Sequence, residues 1–315
     1  MAYVASDIIS NVEYNGLLNN TASNTPNAGV AARGINFIAG LGSGEYGLGQ
    51  TELSAVGSTD LIQAAQWNSL FTFMNNIQNH TNITALTSTT AAAAGDLIAI
   101  KSALTTDLTA LATAVAGGSV SATTGLTDSA ATNKDTGAIT RGTSASASAT
   151  FTFASEDAAR HFFNGGGKIK LSFSRVSAGG AAGKDNEWDD ITSRMGTIIF
   201  AAHSTSRSGG SSTNTTLSPA VDFYALTATD QTIATATANT GVYNSDAITL
   251  SAKRTGFVGT RGGNGTAVVI TMVCNADVEN FNDAGDNVGS IRMACVASNV
   301  NTADGLGTGT SATIT

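Results

Sequence analysis

The chain has 315 residues, enough for one large domain or two to three modest ones, and only 12% of them are charged, where an average globular protein carries about 25%. Its net charge of -8 and its 15 Lys and Arg against 23 acids argue against a phosphate-binding groove, because nucleic-acid contact needs clustered cations that release counterions. No apolar run reaches the roughly 18 residues of a membrane span, and Met1-Ala2-Tyr3-Val4-Ala5-Ser6-Asp7 lacks the basic and apolar stretches of a secretory leader, so synthesis and folding in a cytoplasm are expected.

The first element is a repeat. Asp7-Ile8-Ile9-Ser10-Asn11-Val12-Glu13-Tyr14-Asn15-Gly16-Leu17-Leu18 aligns without gaps on Asp60-Leu61-Ile62-Gln63-Ala64-Ala65-Gln66-Trp67-Asn68-Ser69-Leu70-Phe71, 53 positions later. Each copy has a capping-type Asp, two branched apolar residues, and then aromatic, Asn and Leu, with Tyr14 and Leu17, like Trp67 and Leu70, three apart on one helical face. Both copies are expected to open helices. The second continues to His80 with a stripe of Trp67, Leu70, Met74 and Ile77.

A further helix is expected over 96–116, stopped by Gly117-Gly118. Leu97, Leu104 and Leu111 are seven apart, as are Leu108 and Val115, on a surface otherwise made of Thr, Ala, Ser and Asp. A seam of this kind suits burial against copies of itself, so residues 1–117 read as a coiled-coil-like attachment and oligomerisation region, with a trimer expected. Residues 118–150, dense in Ser, Thr, Ala and Gly, read as a connector.

Beyond it the period shifts from 3.6 to 2. Strands are expected over 150–153, 168–176 (with Ile169, Leu171 and Phe173 facing one way), 197–202, 247–252, 267–275 and 289–297. Short helices are expected over 155–163, with Ser155 as cap and Gly165-Gly166-Gly167 as stop, and over 186–195. Polar loops are expected over 204–216 and 256–265, where exposure also suggests receptor contact. The fold class is therefore α+β, an N-terminal helical region followed over 151–315 by a mainly antiparallel β-domain, a sandwich by preference.

Several constellations bear on chemistry. Gly42-Ser43-Gly44-Glu45-Tyr46-Gly47 matches the dinucleotide glycine pattern, but no helical stripe follows, so tight turns against a neighbouring chain are the preferred reading. Gly179-Gly180-Ala181-Ala182-Gly183-Lys184-Asp185 has the wrong glycine spacing for a phosphate loop and reads as a loop. Asp277, Glu279, Asp283 and Asp286 offer oxygens for calcium without the EF-hand order, so a solvated acidic turn is preferred. Asp185, Glu187, Asp189 and Asp190 suit a helix N-terminus. His80, His161 and His203 show no metal or triad spacing, and no Gly-x-Ser-x-Gly elbow marks a nucleophile. Cys274 and Cys295 lie in apolar runs and read as buried free thiols, with a disulfide between neighbouring strands as the alternative. No catalytic residue, cofactor or metal site is assigned.

The segments Gln66-Trp67-Asn68-Ser69-Leu70, Phe151 to Asn164 leading into Gly165-Gly166-Gly167-Lys168-Ile169-Lys170-Leu171-Ser172-Phe173, and Glu187-Trp188 through Gly196-Thr197-Ile198-Ile199-Phe200 resemble recurrent elements of virion structural and tail-fibre-type proteins of tailed phages, marine cyanobacterial myoviruses above all. The Gly-rich tract ending Tyr46-Gly47-Leu48-Gly49-Gln50-Thr51 before the Trp67-Asn68 helix is similar too. The resemblance implies a non-catalytic virion protein that assembles with itself and with other tail or neck proteins, with host-glycan recognition or capsid decoration as the alternative roles.

Overall fold

Helices come first along the chain: α1 (Asn11–Leu18), α2 (Ile35–Ala39), α3 (Ala64–Thr81) and α4 (Lys101–Ala116). The computed structural model describes residues 11–18, 33–81, 83, 86–87, 101–118, 125–176, 182–239, 245–257, 265–278, 287–300 and 311–315. In α3 the expected stripe of Trp67, Leu70, Met74 and Ile77 is buried, while the helix begins later than the repeat predicts. Asp60 closes a preceding turn by accepting from the Gly57 amide at 3.2 Å. Helix entry is instead fixed by the Gln66 side chain, which accepts from the Gln63 amide at 2.7 Å, half of a capping box. Asp7 and Leu97 lie outside the described residues.

The two repeat copies pack on each other. Tyr14 meets Trp67 edge to face at 5.6 Å, its hydroxyl donates to Gln66 O at 3.1 Å, and burial pushes that phenol up to about 12. Leu17 and Leu70 join the same cluster. So do Leu104, Leu108, Leu111 and Val115, each at most 1% exposed within the single chain. This corrects the seam: the heptad face of α4 packs against α2 and α3 of its own chain, so it is an intrachain bundle face and not a surface shared between copies. A seven-residue spacing serves either arrangement, since both bury one stripe.

Two asparagines hold an extended segment across this bundle. Asn36 donates to Leu53 O at 2.8 Å and accepts from the Leu53 amide at 2.9 Å. Asn15, the repeat's polar position, does the same for Val56, at 2.9 and 2.8 Å. Each side-chain amide thus replaces a strand partner. Asn68, its counterpart in the second copy, is half-buried, and its carbonyl accepts from the Thr72 hydroxyl at 2.8 Å.

The remaining described residues form a sandwich-like body in which every strand pairing is antiparallel. Its strands are β1 (Thr127–Asp128), β2 (Thr132–Asp135), β3 (Ile139–Thr140), β4 (Thr143–Thr152), β5 (Lys168–Arg175), β6 (Thr197–Phe200), β7 (Thr205–Ser208), β8 (Thr215–Leu217), β9 (Gln231–Thr237), β10 (Ala247–Thr255), β11 (Ala267–Ala276), β12 (Asn287–Gly289), β13 (Ile291–Asn299) and β14 (Thr313–Ile314). Helices α5 (Glu156–Asn164) and α6 (Ala182–Met195) interrupt them. One sheet runs β1-β13-β5-β6-β7 with β2 also on β13, the other β14-β4-β11-β10-β9-β8, and β12 pairs with β3 apart from both. Leu171 and Met293 of the first sheet and Ile270 and Leu250 of the second join Trp188 and Ile191 of α6 in one core. Cys274 and Cys295 enter that core from opposite sheets as free thiols, so the disulfide alternative falls.

Two further corrections follow. The stretch read as a connector carries β1 to β4, and β4 pairs along its whole length with β11. Ala147, Ala149 and Phe151 point inward while Ser144, Ser146 and Ser148 are exposed, so period two is present in side chains too small to register as a strand. The 204–216 loop holds β7 and the start of β8. Most of the 256–265 loop lies outside the described residues.

Candidate functional site

Buried polar side chains converge on one loop at the joint between helices and sandwich. It is built by α5. Ser155 caps the helix by accepting from the Ala158 amide at 3.0 Å. The run Arg160-His161-Phe162-Phe163-Asn164 then places its polar and aromatic members on different faces. Phe162 and Phe163 enter the core, where Phe163 stacks on Phe223 at 4.1 Å. Arg160, His161 and Asn164, all buried, face the glycine-rich loop over 41–47.

That loop presents backbone carbonyls. Arg160 donates to Leu41 O and, at 3.3 Å, to Gly42 O, and it pairs with Asp157 at 2.7 Å. The Nε2 of His161 lies 3.1 Å from Leu41 O. Asn164 donates to Gly44 O at 3.3 Å and to Gly47 O at 3.1 Å. The Tyr224 hydroxyl lies between Gly44 O and the Asn164 side-chain oxygen. Burial raises this phenol well above its usual range, with the nearby Arg160 cation working against that shift. On the outer side Glu45 stands 3.9 Å from His203, whose ring stacks on Tyr224 at 5.6 Å. Gly118, just after α4, closes on the same ring: a Cβ there would sit 2.4 Å from His203.

The glycines therefore shape a clasp. Gly42 and Gly47 have φ of 51° and 96°, and a Cβ on either would meet loop backbone at 2.4 Å. Tight turns were expected here against a neighbouring chain; they are made against α5 of the same chain. Two of the three histidines, His161 and His203, converge on this loop, and His80 is buried in α3. The convergence was not legible in sequence. The available signal was a cation, an imidazole and an amide flanking two adjacent phenylalanines in a helix of nine residues.

The remaining sequence candidates are placed separately. Gly183, Lys184 and Asp185 lie in the first turns of α6, so they are helical and not a loop. Glu187 accepts from the Asn239 amide at 3.1 Å, Asp189 pairs with Arg175 at 3.2 Å and Asp190 with Arg194 at 2.7 Å. The Asp277 amide donates to Asp246 at 3.0 Å, and Asp246 forms a fully buried pair with Arg141 at 2.9 Å. Glu279, Asp283 and Asp286 lie outside the described residues. Among the described residues no group of His, Cys, Asp and Glu has metal-binding geometry, and no helix is long and apolar enough to cross a membrane. An open groove of about 790 Å³ along α4 is lined by Ile83, Thr106, Thr109, Ala110, Thr113 and their neighbours, without a titratable group.

Chemically, the joint can hold a backbone in place. Its donors are matched to main-chain carbonyls and not aimed into a cleft. Comparison with family models, with curated proteins and with solved structures returns no match for this chain.

Proposed function

We propose that this chain is a non-catalytic structural protein of a tailed-phage virion, a tail or neck/collar fibre component that works as a homo-oligomer with other tail or neck proteins as partners. The observation that carries the reading is the joint: Arg160, Asn164 and Tyr224 lock the helical region to the sandwich through main-chain carbonyls. Such a clasp fixes the relative position of two bodies, which is what a load-transmitting subunit needs. The resemblance of the Trp67, Phe162–Asn164 and Trp188 segments to tail-fibre-type proteins supports the same reading.

Threefold assembly through the α4 leucines loses its support, because those side chains are engaged within the chain. Contact between copies is then a matter for the sandwich. The alternative of host-glycan recognition gains nothing from the two tryptophans, since Trp67 and Trp188 are both buried and cannot serve as sugar platforms.

Two measurements test the proposal. Peptides of this chain are expected in the mass spectrum of density-purified phage particles, and their absence there would remove the virion assignment. Light scattering of the purified full chain is expected to give a defined homo-oligomer. A monomer would shift the role to a decoration or connector subunit organised only by the particle.

A further inference from the structure

An antiparallel sheet that packs its core on one face turns the other outward, and that outer face is ordinarily polar. The two sheets differ in how they meet this. Among the described strands of the first sheet all but β6 carry a charged residue, and its outer face holds the pairs of Lys170 with Asp128 at 3.0 Å and Arg292 with Asp135 at 2.8 Å. On the second sheet only β10 is charged, and only toward its end. There Lys253 pairs with Asp230 at 3.1 Å and Arg254 lies over the Phe223 ring.

What the second sheet turns outward follows from its core. Ile270, Met272 and Cys274 of β11, with Ile248 and Leu250 of β10, point inward, so the residues between them point outward. Register lines these up in rows across four strands. Ser146, Val273, Thr249 and Thr235 make one row, from β4 through β11 and β10 to β9. Ser148, Thr271, Ser251 and Thr232 make the next. Their side chains end in hydroxyls and methyls at similar height, so the face is even as well as uncharged. It also dries at little cost: the Ser148 and Thr271 hydroxyls bond each other across the strands at 3.0 Å, and a pair of this kind keeps its partner when water leaves. Val273, half-buried on β11, brings a wholly apolar side chain to the middle of the face.

We infer that this face packs on the same face of a second copy of the chain, sheet on sheet, about a twofold axis that passes beside Val273 and Thr249. A twofold contact must be complementary to itself, and rows of Ser, Thr and Val meet their own copy without opposing like charges. The area suffices. Four strands about 4.8 Å apart, each contributing about eight residues of about 3.4 Å, give about 500 Å² per copy and about 1,000 Å² for the pair, the lower bound of a specific interface. Charge selects this face over the other. Each copy carries a net charge of -8, and in this arrangement the charged first sheet of each lies about 10 Å behind the contact, about a Debye length at physiological salt. The inference rests on the homo-oligomeric part of the proposed function and gives that part its surface.

The test is the solution mass of the full chain by analytical ultracentrifugation, where the native protein is expected to dimerise. Val273→Glu sets a carboxylate near the axis on both copies and is expected to weaken the dimer about ten-fold or more, because like charges are then juxtaposed. Mixing that variant with Val273→Lys is expected to restore the dimer, which a folding defect cannot do. Ser172→Glu, at an exposed position on the outer face of the first sheet, is expected to leave the mass unchanged. Should Val273→Glu fail to fold, Thr249→Glu mixed with Thr249→Lys carries the same expectation. A mixture that stays monomeric, or dissociation by Ser172→Glu, would overturn the placement. A native oligomer indifferent to the Val273 and Thr249 variants would overturn the face and leave the homo-oligomeric reading standing. A native monomer would remove both and give the face to a different virion protein.

Discussion

Asn36 replaces a missing strand for Leu53, and a buried residue that satisfies two backbone groups at once leaves both unpaired when it is truncated. Asn36→Ala is expected to cost about 1–3 kcal/mol per unsatisfied group, read as a lower urea midpoint, and Asn36→Asp, which keeps the acceptor but sets a buried carboxylate oxygen against Leu53 O, is expected to lower the midpoint as well. The thiols give a second prediction. Burial pushes both Cys274 and Cys295 up to about 12 from an ordinary value of 9.0. Neither is expected to react with a disulfide reagent at pH 8 until denaturant is added, when both titrate; reaction of the native protein would place a thiol at the surface. Because the folded value is raised, the stabilising effect of the neutral thiols is complete below pH 9 and fades as pH climbs toward 12. The thiols' burial could be read from their apolar runs. The bidentate asparagines could not, since an Asn in a polar tract has many ordinary explanations.

Among the elements, α4 carries the sharpest expectation. Leu108 is fully buried in the helical core, so Leu108→Ala is expected to destabilise the chain by about 2–5 kcal/mol. The same variant is expected to leave the solution mass unchanged; dissociation would restore the leucines to a surface between copies. The helix itself was legible, and so was the α3 stripe, because long amphipathic periods survive any context. What buries a heptad face is not encoded in its spacing. α2 is a five-residue turn with no face of its own. β4 alternates Ser with Ala over most of its length, a contrast of one hydroxyl, so only its end at 150–152 stood out as a strand, and neither the rest of it nor its place beside β11 stood out from low-complexity sequence.

At the scale of the whole molecule, a helical core and a sandwich core are separate clusters joined through the 41–47 loop and Gly118. Arg160→Met keeps the volume and removes the donors to Leu41 and Gly42. It is expected to leave most secondary structure intact while chymotrypsin gains a cut at Tyr46; an unchanged digest would show that the clasp does not restrain the loop. The division into helices then strands was readable from the change of period. The joint was not, because Leu41 and Arg160 are 119 positions apart and nothing local in either segment names the other.

The segment carrying Leu53 and Val56 is gripped by its main chain, which sets what inheritance can alter. Glu52, Ser54 and Ala55 are exposed, so descendants of this gene can drift at those sites with little effect on folding. Proline is the exception at 53 and 56, where it deletes the amide that each asparagine reads. Divergent copies should therefore look unrelated along this stretch while keeping Asn15 and Asn36, an imprint that a library of random substitutions screened for folding would reveal.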